Sequence, residues 1–226
     1  KANFFAGHSL GEYSALAAGG SINFEQTLKL LKIRGKSMQS AVPKGEGGML
    51  AVLGSDINKI NEILDKNSGK FRCFVANDNS IGQIVVSGKT KDIGLFADYL
   101  KIEKIKNIKL SVSAPFHCNL MRPATEIMKN EISKAEFKDS KVKILSNVTA
   151  SEVDQAEEIK RLLVEQIEKP VRWREIILYM IEKNIKTFVE IGPGKVLSGL
   201  IKRIDKNVNV ISINEYEDLD NLKFND

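Results

Sequence analysis

Residues 7–11 read Gly7-His8-Ser9-Leu10-Gly11, and this stretch constrains the fold more than any other part of the chain. The apolar run at 3–6 predicts a buried strand ahead of it, and 12–18 predicts a helix closed by Gly19 and Gly20. A Gly-x-Ser-x-Gly pattern between a strand and a helix is the arrangement of a nucleophile elbow. Its serine holds a strained turn pressed close to its neighbours, and glycine on either side leaves room for that approach. Ser9 then points out of the turn at a helix N-terminus, whose free N–H groups face any negative charge forming beside it. A strand feeding such an elbow belongs to an open parallel sheet with neighbours on both sides, so a further segment is expected ahead of Lys1.

Composition narrows the function classes. The chain has 226 residues, 42% hydrophobic and 28% charged, enough for a real core in one domain or two. It shows neither an apolar run of about 18 residues nor a signal-peptide pattern, so the cytoplasm is the default expectation, with no membrane role. Cys73 and Cys118 are too few and too far apart for a disulfide framework or a metal site, and read as reduced thiols. The net charge of +5, from 34 basic against 29 acidic residues, is spread along the chain. It suits an acidic partner without demanding nucleic acid, for which the aromatic and basic interleaving is missing.

Asn23 is a candidate N-cap for a helix over 24–40, with Leu28, Leu31 and Met38 on its apolar face. The glycine-rich stretch 43–48 reads as a linker. Beyond it the periodicity predicts a strand at 49–53, a helix at 58–66, strands at 71–76 and 83–87, a helix at 90–100 and a strand at 104–110. Asn77-Asp78-Asn79-Ser80 is the expected turn between the second and third of these strands, and the lysines of the last read as a solvated face. The order βαββαβ is that of a ferredoxin-like subdomain, over 45–112, inserted into a larger one made of 1–44 and 113–226. Helices are then expected at 123–135, at 154–169 with Asp154 as its cap, at 172–183 with Trp173, Ile176, Ile177 and Met180 inward, and at 195–204. Strands are expected at 142–145, 187–191 and 208–213, and an acidic tail from Glu215 should fray. Gly192-Pro193-Gly194 lacks the lysine-serine ending of a phosphate loop and reads as a structural turn.

The chain owns two histidines, His8 and His117. His8 follows the first elbow glycine, where its side chain should point away from the serine hydroxyl. A lone histidine is more often structural than catalytic, yet a serine nucleophile needs a base within hydrogen-bond reach, which singles out His117 in Pro115-Phe116-His117-Cys118. Arg34, between Ile33 and Gly35, reads from spacing alone as a surface charge.

Taken together, the elbow with Glu12-Tyr13-Ser14-Ala15, Arg34-Gly35-Lys36 with Met38-Gln39, Pro115-Phe116-His117-Cys118, Gln166 ahead of Pro170-Val171-Arg172-Trp173, and Glu190-Ile191-Gly192-Pro193-Gly194-Lys195-Val196-Leu197 resemble the malonyl-CoA:acyl carrier protein transacylases of bacterial fatty acid synthesis. The blocks stand in that family's order, at nearly its spacing, across the whole chain. The resemblance implies an α/β-hydrolase-like large subdomain with a parallel sheet, carrying the ferredoxin-like small one. It implies ping-pong transfer, with Ser9 attacking the thioester of malonyl-CoA, His117 as base, and the phosphopantetheine thiol of acyl carrier protein as acceptor. No metal or cofactor is implied, and the expected state is a monomer.

By the same resemblance a backbone carbonyl at Gln166 orients the histidine, Arg34 pairs with the malonyl carboxylate, and Leu10 supplies one oxyanion N–H. Phe116 stands where related domains that accept methylmalonyl groups tend to have serine. The family's second oxyanion donor, a glutamine in a Gly-Gln-Gly segment, has no counterpart here, nor does roughly the first quarter of a family member. The competing readings are a serine esterase or thioesterase with the same elbow, an acyltransferase domain of a polyketide synthase, and a non-catalytic module that binds carrier protein.

Overall fold

The structure is a computed structural model that describes residues 2–221. The chain falls into two compact units, Lys1–Ile176 and Ile177–Asp226.

The first unit opens with β1 (Phe4–Phe5), the elbow and α1 (Leu10–Ala18). Next comes α2 (Phe24–Ser40), whose N-cap Asn23 accepts from the Gln26 N–H at 2.8 Å. The inward face of α2 is only in part the apolar stripe expected, with Met38 buried and Leu31 partly buried against the main core. Thr27, Leu30, Arg34, Ser37 and Met38 are buried, while Leu28 is 51% exposed. Burying two hydroxyls and an arginine on one helix face requires partners for them, and it marks α2 as part of a site.

A four-stranded antiparallel sheet follows, built from β2 (Gly47–Leu53), β3 (Cys73–Ser80), β4 (Gln83–Lys89) and β5 (Lys106–Lys109) in the order β3-β4-β2-β5. Between its strands run α3 (Ile57–Lys66) and α4 (Thr90–Ile102). Leu50, Val52, Ile60, Ile84, Val86, Ile93, Phe96 and Leu100 form a core belonging to this module. Lys106 and Lys109 are exposed as expected, but so is Ile108.

The expected turn at Asn77-Asp78-Asn79-Ser80 is strand instead. All four residues lie in β3, buried, and the turn sits at Ile81-Gly82. The segment is held by distant partners: the Asp78 carboxylate pairs with Arg174, the Asp78 N–H donates to the Val171 carbonyl, and the Asn77 backbone bridges that of Val171. Tertiary hydrogen bonds override the local turn preference.

The chain then passes through residues 110–118, a short 3₁₀ turn (Asn119–Met121) and α5 (Arg122–Lys134). A Cβ on Gly47 would collide with the Pro115 ring, so this passage runs directly against the start of β2. After it come β6 (Lys143–Leu145), β7 (Glu152–Val153) and α6 (Ala156–Glu165). β6 pairs with β1 in parallel and with β7 antiparallel. The N-terminus of α6 is satisfied by Asp139, which accepts from the Ala156 N–H at 2.8 Å, and not by Asp154. Tyr13, Leu16, Leu30, Met121, Met128, Ile132, Ile144, Leu162 and Leu163 join α1, α2, α5, β6 and α6 in one core.

The unit boundary falls inside α7 (Trp173–Glu182), whose Trp173, Ile176, Ile177 and Met180 are all buried. The second unit pairs β8 (Thr187–Ile191) with β9 (Asn209–Ile213) in parallel through α8 (Val196–Ile204). Glu190 accepts from the Leu197 and Ser198 N–H groups at the start of α8, which gives the Gly192-Pro193-Gly194 turn its structural role. A 3₁₀ helix occupies Tyr216–Asn221, where fraying was expected. The remainder of the acidic tail, 222–226, lies outside the described residues. Among the described residues no helix is long and apolar enough to cross a membrane, and no cluster of three or more His, Cys, Asp or Glu is placed to hold a metal ion.

Candidate active site

Ser9 adopts φ 53° and ψ −103° at the junction of β1 and α1, a positive-φ backbone that an L-residue holds only under constraint. Part of the constraint is steric, since a Cβ on Gly7 would fall on the Gly11 carbonyl. Gly11 itself has open space where its Cβ would be, so only one of the two elbow glycines is demanded by crowding. The rest is a clamp absent from the sequence reading. Asn147, just beyond β6, accepts from the Ser9 N–H at 2.7 Å and donates to the Gly7 carbonyl at 2.8 Å, bracing both ends of the turn.

His117 also has a positive-φ backbone, φ 58°, and it points its Nε2 at Ser9 Oγ from 2.8 Å. Its Nδ1–H donates to the Gln166 backbone carbonyl at 2.8 Å. That bond leaves the Nε2 lone pair free for the serine hydroxyl proton. Burial, reinforced by the nearby Arg34 cation, holds the imidazole down to about 3, so the ring is neutral near pH 7. Two segments 108 residues apart thus bring together a serine–histidine pair with the geometry that a nucleophile and its base require.

Arg34 is no surface charge. It is 6% exposed, its guanidinium lies 5.7 Å from the centre of the Tyr13 ring, and its Nη2 donates to Ser9 Oγ and to Gln166 Oε1, each at 2.9 Å. Among the described residues no carboxylate lies within ion-pair distance of it. Burial lowers its pKa, and the Glu12 carboxyl acts on it only from beyond contact distance, so the guanidinium retains capacity for an anion beside Ser9.

The Leu10 N–H, at the first position of α1, has no hydrogen-bond acceptor among the described residues. The Gly11 and Glu12 amides turn back onto His8 and Ser9 carbonyls. Phe116 is half-buried between the main core and Met49, Ala76 and Val85 of the sheet module, and its carbonyl accepts from Ser87 Oγ at 2.6 Å. His8 turns from the nucleophile, as expected, bonding Asn79 Oδ1 at 2.8 Å with its ring 5.7 Å from that of Trp173.

Besides Asn147, sequence reasoning missed Glu12 as a site residue. It is 2% exposed and accepts from Gln166 Nε2 at 2.7 Å and from the Asn147 N–H at 3.2 Å. The signal available was an acid in the first turn of an otherwise apolar helix. A groove of about 650 Å³ lined by Ala17, Ile22, Phe24 and Leu28 contains none of these catalytic candidates.

A strand-to-helix serine bonded to a histidine that is itself oriented through a carbonyl is an arrangement suited to acyl transfer, and comparison with known proteins puts the chain in the class of acyltransferases. The family of the acyl transferase domain matches residues 1–215. The malonyl CoA-acyl carrier protein transacylase of Bacillus subtilis is 41% identical over 220 residues, 96% of this chain and 69% of the relative. The crystal structure of the Clostridium perfringens malonyl CoA-acyl carrier protein transacylase superposes with a TM-score of 0.94 at 42% identity, over 98% of this chain and 70% of that one. A malonyl-transacylase solved in complex with its type II polyketide acyl-carrier protein gives a TM-score of 0.92 at 37% identity, over 97% and 72%. The chain belongs to the acyl transferase domain family, among the malonyl CoA-acyl carrier protein transacylases.

Proposed function

We propose that this acyltransferase moves the malonyl group from malonyl-CoA to the phosphopantetheine thiol of acyl carrier protein, supplying fatty acid elongation. The carrying observation is the buried Arg34, with no carboxylate at ion-pair distance, donating to the oxygen of a histidine-paired serine. In the first half-reaction His117 Nε2 takes the Ser9 hydroxyl proton as Oγ attacks the thioester carbonyl. The C–S bond breaks, the proton passes to the departing sulfur, and a malonyl-serine ester remains. In the second half His117 takes the proton of the carrier thiol, the sulfur attacks the ester carbonyl, and Ser9 recovers its proton.

Arg34 holds the free malonyl carboxylate through the planar fork that a guanidinium offers and an ammonium does not. Leu10 N–H faces the oxyanion of each tetrahedral intermediate. Gln166 orients the base through its carbonyl, and Phe116 bounds the acyl pocket. Side chains and backbone amides supply every proton and charge that these steps need, so no cofactor enters the reading. Acyl carrier protein is supported as partner by the structure of the related malonyl-transacylase complex.

The serine hydrolase alternative is disfavoured because the base leans on a carbonyl and not on a carboxylate. The βαββαβ strand order and the separate core support the division into a ferredoxin-like subdomain over 45–112 and an α/β-hydrolase-like remainder, 1–44 and 113–226. Intact-mass measurement after mixing with malonyl-CoA tests the reading. A stable adduct of one malonyl group that disappears on adding phosphopantetheinylated carrier protein is expected, and its absence overturns the proposal.

A further inference from the structure

A buried acid that no step above uses lies behind the nucleophile. Glu12 stands one helical turn after Ser9 on α1, and among the described residues it meets no cation within ion-pair distance. Burial raises its carboxyl to about 7, although Gln166 and the Asn147 amide donate to it. An ionisable group kept in so dry a place needs a reason, because filling the same volume with apolar atoms avoids the desolvation cost.

The reason lies in the amide that it holds. A carboxamide has a donor end and an acceptor end, and half a turn about its last torsion exchanges them. Gln166 Nε2 donates to Glu12 Oε2 at 2.7 Å and to the Ser9 carbonyl at 3.0 Å. The opposite end, Oε1, accepts from Arg34 Nη2, the nitrogen that also donates to Ser9 Oγ. Turned around, the amide would set its NH₂ against the guanidinium and its oxygen against two other oxygens.

We infer that Glu12 is a positioning residue for substrate choice: it locks the Gln166 carboxamide with Oε1 facing Arg34, and so holds the guanidinium where the acyl carboxylate must be met. This rests on the proposed pairing of Arg34 with the malonyl carboxylate. Glu12 touches no reacting atom; it acts on Arg34 through Gln166, and its second donor, the Asn147 N–H, belongs to the clamp on the Ser9 turn and bears on both thioesters alike. Its acceptor oxygen is what matters, so a glutamine there, which keeps an oxygen for the Gln166 and Asn147 donors, performs the same task.

The test is single-turnover acylation of Ser9 by malonyl-CoA and by acetyl-CoA, read by intact mass, in Glu12→Leu, Glu12→Gln and Gln166→Leu. Glu12→Leu should lower the malonyl-over-acetyl rate ratio roughly tenfold or more, as a misplaced positioning group does. Glu12→Gln should restore that ratio. Gln166→Leu keeps the backbone carbonyl on His117 and should lose the ratio as well, so the idea stays testable if Glu12→Leu does not fold. Combining Glu12→Leu with Arg34→Ala should lower the ratio no further than Arg34→Ala does alone. Equal losses toward both thioesters, or an unchanged ratio in Gln166→Leu, would overturn the inference. A parent that prefers acetyl-CoA, or an Arg34→Ala variant with the parent's ratio, would instead overturn the reading of Arg34 on which it rests.

Discussion

His117 Nδ1 lies 2.8 Å from the main-chain carbonyl of Gln166, so the group that orients the base is an uncharged oxygen. A carbonyl fixes the tautomer and the ring plane as an aspartate would, without the negative charge that stabilises an imidazolium. The imidazole is therefore weakly basic, buried and neutral, which suits the role proposed for it of lending a proton to a departing thiolate and then taking one from an incoming thiol.

Ser9→Ala should abolish acyl-enzyme formation while leaving the fold intact, because the residual Cβ sits on the same constrained turn and the Asn147 bonds use only backbone atoms of residues 7 and 9. Intact mass with malonyl-CoA and circular dichroism read the two halves. A malonyl adduct persisting on the variant would mean that another nucleophile carries the reaction.

Replacing His117 by alanine should slow acylation by roughly 10²–10⁴-fold, the usual contribution of a positioned base. With the imidazole held down to about 3, the neutral base is present at any higher pH, so the single-turnover acylation rate of the parent should stay level from about pH 8 to about pH 5.5. A loss of about tenfold between pH 7 and pH 5.5 would place the base at its ordinary value and contradict the buried geometry.

Arg34→Ala should shift preference from malonyl-CoA toward acetyl-CoA. Losing a charge-assisted bond costs the carboxylate substrate roughly 1.5–3 kcal/mol, while the loss of the Arg34 bonds to Ser9 Oγ and Gln166 Oε1 falls on both thioesters alike and cancels in their rate ratio. Phe116→Ser should open the pocket to a methyl branch, read as an increased methylmalonyl-to-malonyl rate ratio. An Arg34→Ala enzyme that still favours malonyl-CoA at the parent's ratio would remove the arginine from recognition, and an unchanged methylmalonyl ratio would remove Phe116.

The elbow that carries Ser9 is legible in the sequence because its signal is local: glycine spacing, a strand before it and a helix after it. His117 is legible by chemical dependence, since a serine nucleophile needs a base and the position of His8 turns it elsewhere. The supports are not legible. Asn147 meets Ser9 across 138 residues and Glu12 meets Gln166 across 154, and no local pattern encodes pairings at such range. The stretch 77–80 misleads for the same reason. Asn, Asp and Ser are turn formers by their short-range hydrogen bonds, but here Asn79 commits its oxygen to His8 and Asp78 its carboxylate to Arg174. Arg34 looks like surface because spacing reports the face of a helix and not what that face covers.

The acid behind the nucleophile makes one prediction about stability. The Glu12 carboxyl titrates at about 7 in the folded protein against 4.5 for the free side chain, so between those values the folded state binds more protons than the unfolded one. Stability from this group is therefore full below 4.5, declines as pH rises to about 7, and is level above it. His117, lowered from 6.5 to about 3, pulls the opposite way over an overlapping range, so the parent's own profile hides both effects. The Glu12→Gln difference isolates the acid, since His117 cancels in it. Relative to the parent, Glu12→Gln should gain about 3 kcal/mol in denaturant unfolding between pH 4.5 and pH 8, because each tenfold change in proton affinity on folding is worth about 1.4 kcal/mol, and most of the gain should be complete by pH 7. A difference that stays constant across this range would show that Glu12 is not held in the dry setting described, where burial outweighs the more distant Arg34, and that its carboxyl titrates as it does in water.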